Sequence, residues 1–298
     1  MSRPILDIQN IVKTYENHVA VDDVSFEVPA GSIFGLLGPN GAGKTSLIRI
    51  ITTITRADTG TVYLDGEPLN SRHPEQIGYM PEERGLYRKM KVGDHLTYLA
   101  RLKGLSATDA KAKISAWMEK FGIEDWWGKK VEELSKGMQQ KIQFIATVVH
   151  EPKLLILDEP FSGLDPVNTN LIKAEIHSLR EKGMSIIFST HRMEQVEEIC
   201  EHIVLINQGE NVLEGKVSAV KDRFKQNLFE LEYEGELPAH LLESAMVTQQ
   251  SEGRIQVQVQ EEAQSNALLH KLLEAGIFVK GFREILPTLN EIFIRQVN

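Results

Sequence analysis

Leu36–Ser46 reads LLGPNGAGKTS, and Gly38-Pro39-Asn40-Gly41-Ala42-Gly43-Lys44-Thr45 within it fits G-x-x-x-x-G-K-[ST]. The glycines let successive backbone N–H groups turn inward around a polyphosphate, where residues with a Cβ would obstruct them. In a loop of this pattern Lys44 reaches the β and γ phosphates and the Thr45 hydroxyl holds Mg²⁺. The flanks agree. Ser32–Leu37 (SIFGLL) reads as a short buried strand, and Ser46-Leu-Ile-Arg-Ile-Ile as the start of a helix. The N-terminus of that helix adds its partial positive charge to the phosphate site. A glycine-rich turn arising by chance has no reason to sit between such a strand and such a helix.

The 298-residue chain allows one large or two smaller domains, and its 42% hydrophobic and 25% charged residues are ordinary for a globular protein. A net charge of -9 argues against non-specific binding to nucleic acid or anionic lipid. The single cysteine, Cys200, cannot close an internal disulfide, which fits a reducing cytosol. It lies in the amphipathic run Met193–Cys200 and reads as a packing thiol. The start, MSRPILDIQN, is polar and shows no signal peptide, and apolar runs such as Leu154–Leu157 are too short to span a bilayer.

In order along the chain, Ile5–Ile11 alternates like a half-buried strand and Ala20–Val28 reads as another. Between them Tyr15, an aromatic shortly before the loop, is a candidate to stack on a purine face; packing is the plainer reading. Gly60–Gly66 reads as strand and turn, and Ile77–Pro81 as a second short strand opening into Glu82-Glu83-Arg84-Gly85-Leu86-Tyr87. Val92 to Lys130 is helix-patterned with breaks at Gly104 and Gly122, and its Trp117, Trp126 and Trp127 read as packing residues. Leu134-Ser135-Lys136-Gly137-Met138-Gln139 precedes a helix to about His150, with Ser135 as a plausible N-cap. Lys153–Pro160 is a buried strand ending in Asp158 and Glu159. Ser162-Gly163-Leu164-Asp165 leads into a helix to about Glu181, and Ser185–His191 is a further buried strand with His191 at its carboxyl end. In a parallel α/β sheet those ends line the ligand crevice.

Taken together, these residues resemble the ATP-binding subunit of an ABC transporter over Ile5 to about Lys221. Gly38–Thr45 matches the Walker A element, Leu154–Glu159 Walker B, Leu134–Met138 the signature, Ser162–Asp165 the D-loop and His191 the switch, while Tyr15 sits where the family stacks adenine. The resemblance implies an α/β P-loop NTPase fold, an ABC nucleotide-binding domain over residues 1–222 with a helical insert at about 88–150. It implies ATP and Mg²⁺ as ligands, and two subunits facing head to tail around two ATP molecules. Gly38, Pro39, Asn40, Gly41, Ala42, Gly43, Lys44, Thr45 and Ser46 of one subunit would hold each nucleotide, with Ser135, Gly137 and Asp165 of the other. Catalysis would fall to Glu159 for the attacking water, His191 at the γ-phosphate and Lys44. Thr45, Asp158 and Glu82 would serve the metal.

Two departures stand out. The signature is commonly LSGGQ, and here Lys136 replaces its first glycine; it either adds charge at the phosphate or points to solvent. Glu82 occupies the position usually held by glutamine, and a carboxylate accepts from a metal-bound water or binds Mg²⁺ but cannot donate as an amide does.

After Lys221, Phe229–Glu234 and Ile255–Gln260 alternate strictly as strands. Glu262–Ala275 reads as a helix, Ile277–Phe282 as a strand, and Pro287–Val297 as an amphipathic helix using Leu289, Ile292, Phe293 and Val297. Residues 223–298 therefore form a small C-terminal α+β domain, read as a dimerisation or docking module, with a small-molecule regulatory site as the other reading. PEERGLY, LSKGMQQK and the LPTLNEIFI tail together resemble the ABC-2 type exporter branch, including the sodium-extrusion-like ATPases. That branch implies an integral membrane permease as a separate partner, no nucleic acid, and a cytoplasmic protein peripheral on the inner face of the membrane. The functional dimer is homomeric or shared with another ATPase chain. The other readings are a soluble ABC ATPase acting on ribosomes or nucleic acid, an importer subunit, and an unrelated phosphate-loop kinase. The last has no use for the signature or the helix after it.

Overall fold

Three strands carry the centre of the molecule, and each is buried along its whole length: β3 (Ile33–Leu37), β7 (Leu154–Asp158) and β8 (Ser185–Ser189). Continuous apolar runs of this kind belong inside parallel sheets covered on both faces. The computed structural model describes residues 3–83 and 85–297. Arg84 of the PEERGLY stretch lies outside the described residues, as does the side chain of Val297.

The chain separates into two compact units, Met1–Val217 and Ser218–Asn298. In the first, β1 (Pro4–Tyr15) and β2 (His18–Pro29) form an antiparallel hairpin. The loop helix α1 (Lys44–Ile51) follows β3, then β4 (Thr59–Leu64), β5 (Glu67–Pro68) and β6 (Ile77–Met80). The helical insert is α2 (Val92–Leu102), α3 (Ala107–Lys120) and α4 (Lys136–Val148). After β7 come α5 (Pro166–Glu181), β8, α6 (Met193–Ile199), β9 (His202–Asn207) and β10 (Glu210–Lys216). The central sheet has the order β10-β9-β3-β8-β7-β6, parallel except for the β10 edge. A second, antiparallel sheet has the order β2-β1-β4-β5. One core joins the two sheets. Leu6, Ile8, Val24 and Phe26 of the second sheet pack with Phe34, Leu36, Ile187 and Val204 of the first, and Leu47, Ile48 and Ile51 of α1 belong to the same cluster. Phe26 and Phe34 stack with ring centroids 5.5 Å apart.

In the insert, Trp117 meets Phe121 and Phe144 edge-on at 5.5 and 5.9 Å, and Trp126 lies 6.0 Å from Lys141 Nζ, so these tryptophans pack as expected. Cys200 is likewise buried. His95 is fully buried, with its ring 5.7 Å from Tyr87 and both ring nitrogens without a partner among the described residues. Burial holds the imidazoles of His95 and His150 at about 4, and the Lys103 ammonium adds to the shift at His150. Both fall below the ordinary value of 6.5. Below that value the unfolded chain takes up protons that the folded chain refuses, so stability is complete above pH 6.5 and is lost as pH falls toward 4. Thermal unfolding at pH 5 is therefore expected at a lower temperature than at pH 7.5, and the His95→Leu/His150→Leu double variant is expected to narrow that gap. An unchanged gap would remove the histidines from the account.

The second unit takes in most of α7 (Val217–Arg223), then β11 (Leu228–Glu234), β12 (Met246–Ser251), β13 (Arg254–Gln258), α8 (Ala263–Glu274), β14 (Phe278–Ile285) and α9 (Leu289–Val297). Its antiparallel sheet runs β12-β13-β11-β14. Phe229, Leu231, Tyr233, Ile255 and Val257 face one side and pack against Leu268 and Leu272 of α8. Cross-strand ion pairs, Glu230–Arg283 and Glu234–Lys280 at 2.5 Å and Glu232–Arg254, join its polar residues. The expected α/β core and α+β appendage are both present.

Some elements differ from the sequence reading. β9, β10, α7 and β12 were not foreseen; every residue of β12 is exposed, so no apolar alternation marks it. α1 begins at Lys44 rather than Ser46. β8 stops at Ser189, two residues short of His191, because Thr190 and the His191 backbone turn to bond Glu159.

Candidate functional site

The phosphate loop leaves β3 at its carboxyl end and enters α1. Gly38 has φ 149° and Gly43 φ 110°, and a Cβ on either would strike a backbone carbonyl, that of Ile206 or of Ala20. Only glycine fits there. Gly41, at φ 80°, has open space where its Cβ would be. The loop is pinned from outside by Gly209 N–H donating to Ala42 O at 3.0 Å and by Asp22 N–H donating to Gly209 O at 2.8 Å. Asn40 and Thr45 are exposed, while Ala42 is buried and Pro39 and Ser46 are half-buried. The result is a concave run of backbone at a helix N-terminus, which is the geometry that receives an anion.

Lys44 folds back across this loop, its Nζ donating to Gly38 O at 2.7 Å and Pro39 O at 2.9 Å. Burial lowers the pKa of its ammonium, against the opposing pull of Asp158, Glu159 and Glu82. Those three carboxylates come from the carboxyl ends of the neighbouring strands β7 and β6, which pair in register Met80↔Leu157. Burial pushes the Asp158 carboxyl above its ordinary value. The Ser189 hydroxyl, donating to Asp158 Oδ1 at 2.8 Å, and Lys44 pull it down, while Glu159 and Glu82 push it up. Lys44, Asp158, Glu159 and Glu82 therefore form one electrostatic cluster beside the loop.

Glu159 sits in the left-handed region, φ 48°, which is uncommon outside glycine, asparagine and aspartate. The turn aims its carboxylate at the end of β8. Thr190 Oγ1 donates to Oε2 at 3.0 Å, His191 N–H donates to Oε1 at 2.8 Å, and His191 Nδ1 lies 2.6 Å from Oε1. Backbone strain of this sort collects at functional sites. The His191 ring is exposed.

The other predicted residues lie elsewhere. Ser135 caps α4, accepting from Met138 N–H at 3.3 Å, and Gly137 lies 3.7 Å, measured from a Cβ placed on it, from Gly163 O and Leu164. Asp165 caps α5, accepting from Asn168 N–H at 2.9 Å. Ser135 and Asp165 thus bond the first turns of their own helices, and Gly137 lies toward Gly163 and Leu164. Tyr15 ends β1, partly exposed, with Lys13 Nζ 5.4 Å from its ring. It lies five residues before Ala20, whose carbonyl abuts Gly43.

Among the described residues no three His, Cys, Asp or Glu side chains close on a common point. The donor set near the loop, the Thr45 hydroxyl and one or two carboxylates, still fits Mg²⁺, which takes few protein oxygens when phosphates and water complete its shell. The glycine cradle fits a triphosphate in the same way. Sequence reasoning missed Ser189 and Thr190, the buried hydroxyls that orient Asp158 and Glu159. It also missed Gln140 and Gln143 on α4, whose amides donate to Pro160 O at 2.8 Å and Pro81 O at 2.7 Å. The signal for the glutamines was available: two amides on the apolar face of an amphipathic helix.

Comparison with known proteins gives consistent matches. Residues 21–162 match the family described as ABC transporter. Residues 215–297 match the family described as ATP-binding protein DrrA1-3-like, C-terminal domain. The ABC transporter ATP-binding protein YhaQ of Bacillus subtilis is 43% identical over 296 residues, 98% of each chain. The Nod factor export ATP-binding protein I of Cupriavidus metallidurans is 37% identical over 215 residues, 71% of each chain. Among solved structures, one described as the ATP binding subunit of an ABC transporter superposes with a TM-score of 0.70 at 28% identity, covering 74% of this chain and 93% of that one.

Proposed function

Because the chain belongs to the ATP-binding subunits of ABC transporters, with the C-terminal domain of the DrrA1-3-like exporter branch, we propose that it powers export through a separate membrane permease. As a member it is an ATPase coupled to transport. The observation that carries the catalytic assignment is the Glu159 carboxylate, set at the strand end beside Lys44 and Asp158 and tied to His191 and Thr190. Export is supported by the Cupriavidus relative, which is named a Nod factor export ATP-binding protein.

In this reading the backbone N–H groups of Gly38–Thr45 and the Lys44 ammonium bind the phosphates, and Tyr15 stacks on the base. Glu159 accepts a proton from, or orients, the attacking water, and His191 holds the γ-phosphate end of the site. Thr45, Asp158 and Glu82 would hold Mg²⁺, which when bound would supply positive charge to the phosphates. Most phosphoryl-transfer catalysis is such positioning and charge stabilisation. Ser135, Gly137 and Asp165 face outward to complete the site of a second ATPase subunit, so that ATP joins the two halves and its hydrolysis releases them. Among the described residues no helix is long and apolar enough to cross a membrane. In this reading the permease carries the path, and the protein works at the inner membrane face. The permease docks in the groove between the Glu82–Tyr87 segment and the helical insert.

The test is isolation of Glu159→Gln from native membranes in mild detergent with Mg-ATP. A hydrophobic multi-span protein is expected at matching stoichiometry. Ribosomes, DNA, or the soluble homodimer alone would overturn the permease reading.

A further inference from the structure

Two glutamines project from one face of the signature helix α4, three residues apart, which places them on neighbouring turns. Gln140 and Gln143 are 2% and 4% exposed, among Ile142, Phe144, Ile145 and Val148. Burying an amide in an apolar helix face is unfavourable unless its hydrogen bonds are made. Here both are spent on prolines: Gln140 Nε2 donates to Pro160 O and Gln143 Nε2 to Pro81 O. The acceptors being carbonyls, the amide orientation is fixed.

The targets are not arbitrary. Pro160 directly follows Glu159, and Pro81 directly precedes Glu82, at the carboxyl ends of the adjacent strands β7 and β6. Proline has no N–H to extend a ladder, but its carbonyl still requires a partner. Among the described residues, the Pro81 carbonyl is the last hydrogen-bonded point of the chain before Tyr87, whose carbonyl accepts from Met90 N–H at 3.0 Å. The exposed Glu82 is thus held through its backbone, by Gln143. Among the described residues Gln143 Oε1 is buried without a partner, and Gln143 lines, with Pro81, Leu86, Leu99 and Thr147, a cavity of about 350 Å³. An orphan buried acceptor is unfavourable, and a leucine at this position would avoid it. Packing alone does not account for the residue.

We infer that Gln143 is a positioning residue for hydrolysis: by holding the Pro81 carbonyl it sets the Glu82 carboxylate, one residue on, against the Lys44–Asp158 cluster. Gln140 is the matching prong behind Glu159. The helical insert thereby grips both acidic strand ends from one helix. The inference rests on the reading of Glu82 as a metal-side group.

The test uses the full chain carrying Gln143→Met, which keeps the length and removes the donor, and Gln143→Glu, which keeps an acceptor and removes the donor. Both are expected to raise the Mg²⁺ concentration for half-maximal ATPase activity about three- to tenfold, the effect of one lost hydrogen bond. ATP binding without Mg²⁺ should not change. Glu82→Ala should shift the same constant at least as far, and combining it with Gln143→Met should add little. A second readout needs no nucleotide or metal: a glutamate-specific protease should cut after Glu82 and Glu83 several times faster in the Gln143 variants, with cutting after Glu252 unchanged. Equal acceleration at Glu252 would mean general loosening and would overturn the inference. Wild-type Mg²⁺ dependence in both Gln143 variants beside a shifted Glu82→Ala would overturn the positioning role alone. An unshifted Glu82→Ala would overturn it together with the metal reading beneath it.

Discussion

Glu159→Gln is expected to hydrolyse ATP at less than about one hundredth of the wild-type rate, the lower end of what a positioned general base contributes, while still binding ATP. The substitution is nearly isosteric. The amide oxygen can still accept from one of the two donors, His191 N–H or the Thr190 hydroxyl, which bond different oxygens of the carboxylate. What is lost is the negative charge and the second acceptor. Binding depends on the glycine loop and Lys44, which the change does not touch. Removing one carboxylate charge from the cluster also reduces repulsion toward the incoming phosphates and toward Asp158. Nucleotide affinity should therefore hold or rise, and in Mg-ATP the variant should elute as a dimer where the wild type relaxes to monomer as ATP is consumed. Turnover near the wild-type rate would remove Glu159 from the reaction and leave the strand-end pair as a purely electrostatic feature.

The parts of this protein that were legible in its sequence are those where one local rule acts alone. The loop announces itself because φ values of 149° and 110° with carbonyls in the way admit only glycine. β3, β7 and β8 announce themselves because burial on both faces leaves no polar position in their apolar runs. Ser135 was readable as a helix N-cap and is one; Asp165, read as part of the D-loop, caps its helix as well. What stayed hidden depends on chain segments meeting far apart in sequence. Ser189 and Thr190 look like the polar end of a strand until β8 pairs with β7 and brings them to Asp158 and Glu159, 31 residues away. Gln143 bonds a carbonyl 62 residues distant. β12 was invisible for a different reason: an edge strand with both faces in solvent carries no alternation to read. The limit was set by pairing in space, which composition and period do not encode.

Lys44→Ala carries the other large effect, and it should appear in nucleotide affinity rather than in the fold. The ammonium stands half-buried over the loop, held by the Gly38 and Pro39 carbonyls, with burial working against its charge and three carboxylates working for it. A cation in that balance gains most when a polyphosphate arrives, since charged hydrogen bonds are worth about 1.5–3 kcal/mol each. Truncation should weaken ATP binding by about 10- to 100-fold. Lys44→Arg should not restore it, because a planar fork cannot replace a point charge inside a tight loop. Stability offers a second view of the same quantity. At an ATP concentration about 100 times the wild-type Kd, binding adds about 2.7 kcal/mol to the folded state. The same concentration should add only about 1.4 to 0.4 kcal/mol to the variant. Without nucleotide the two proteins should melt alike, because losing the ammonium removes both its desolvation cost and its attraction to Asp158, Glu159 and Glu82. Equal ATP-induced shifts in Tm would mean that the loop backbone binds the phosphates without Lys44. The lysine's bonds to Gly38 and Pro39 would then be its whole role, a brace for the empty loop.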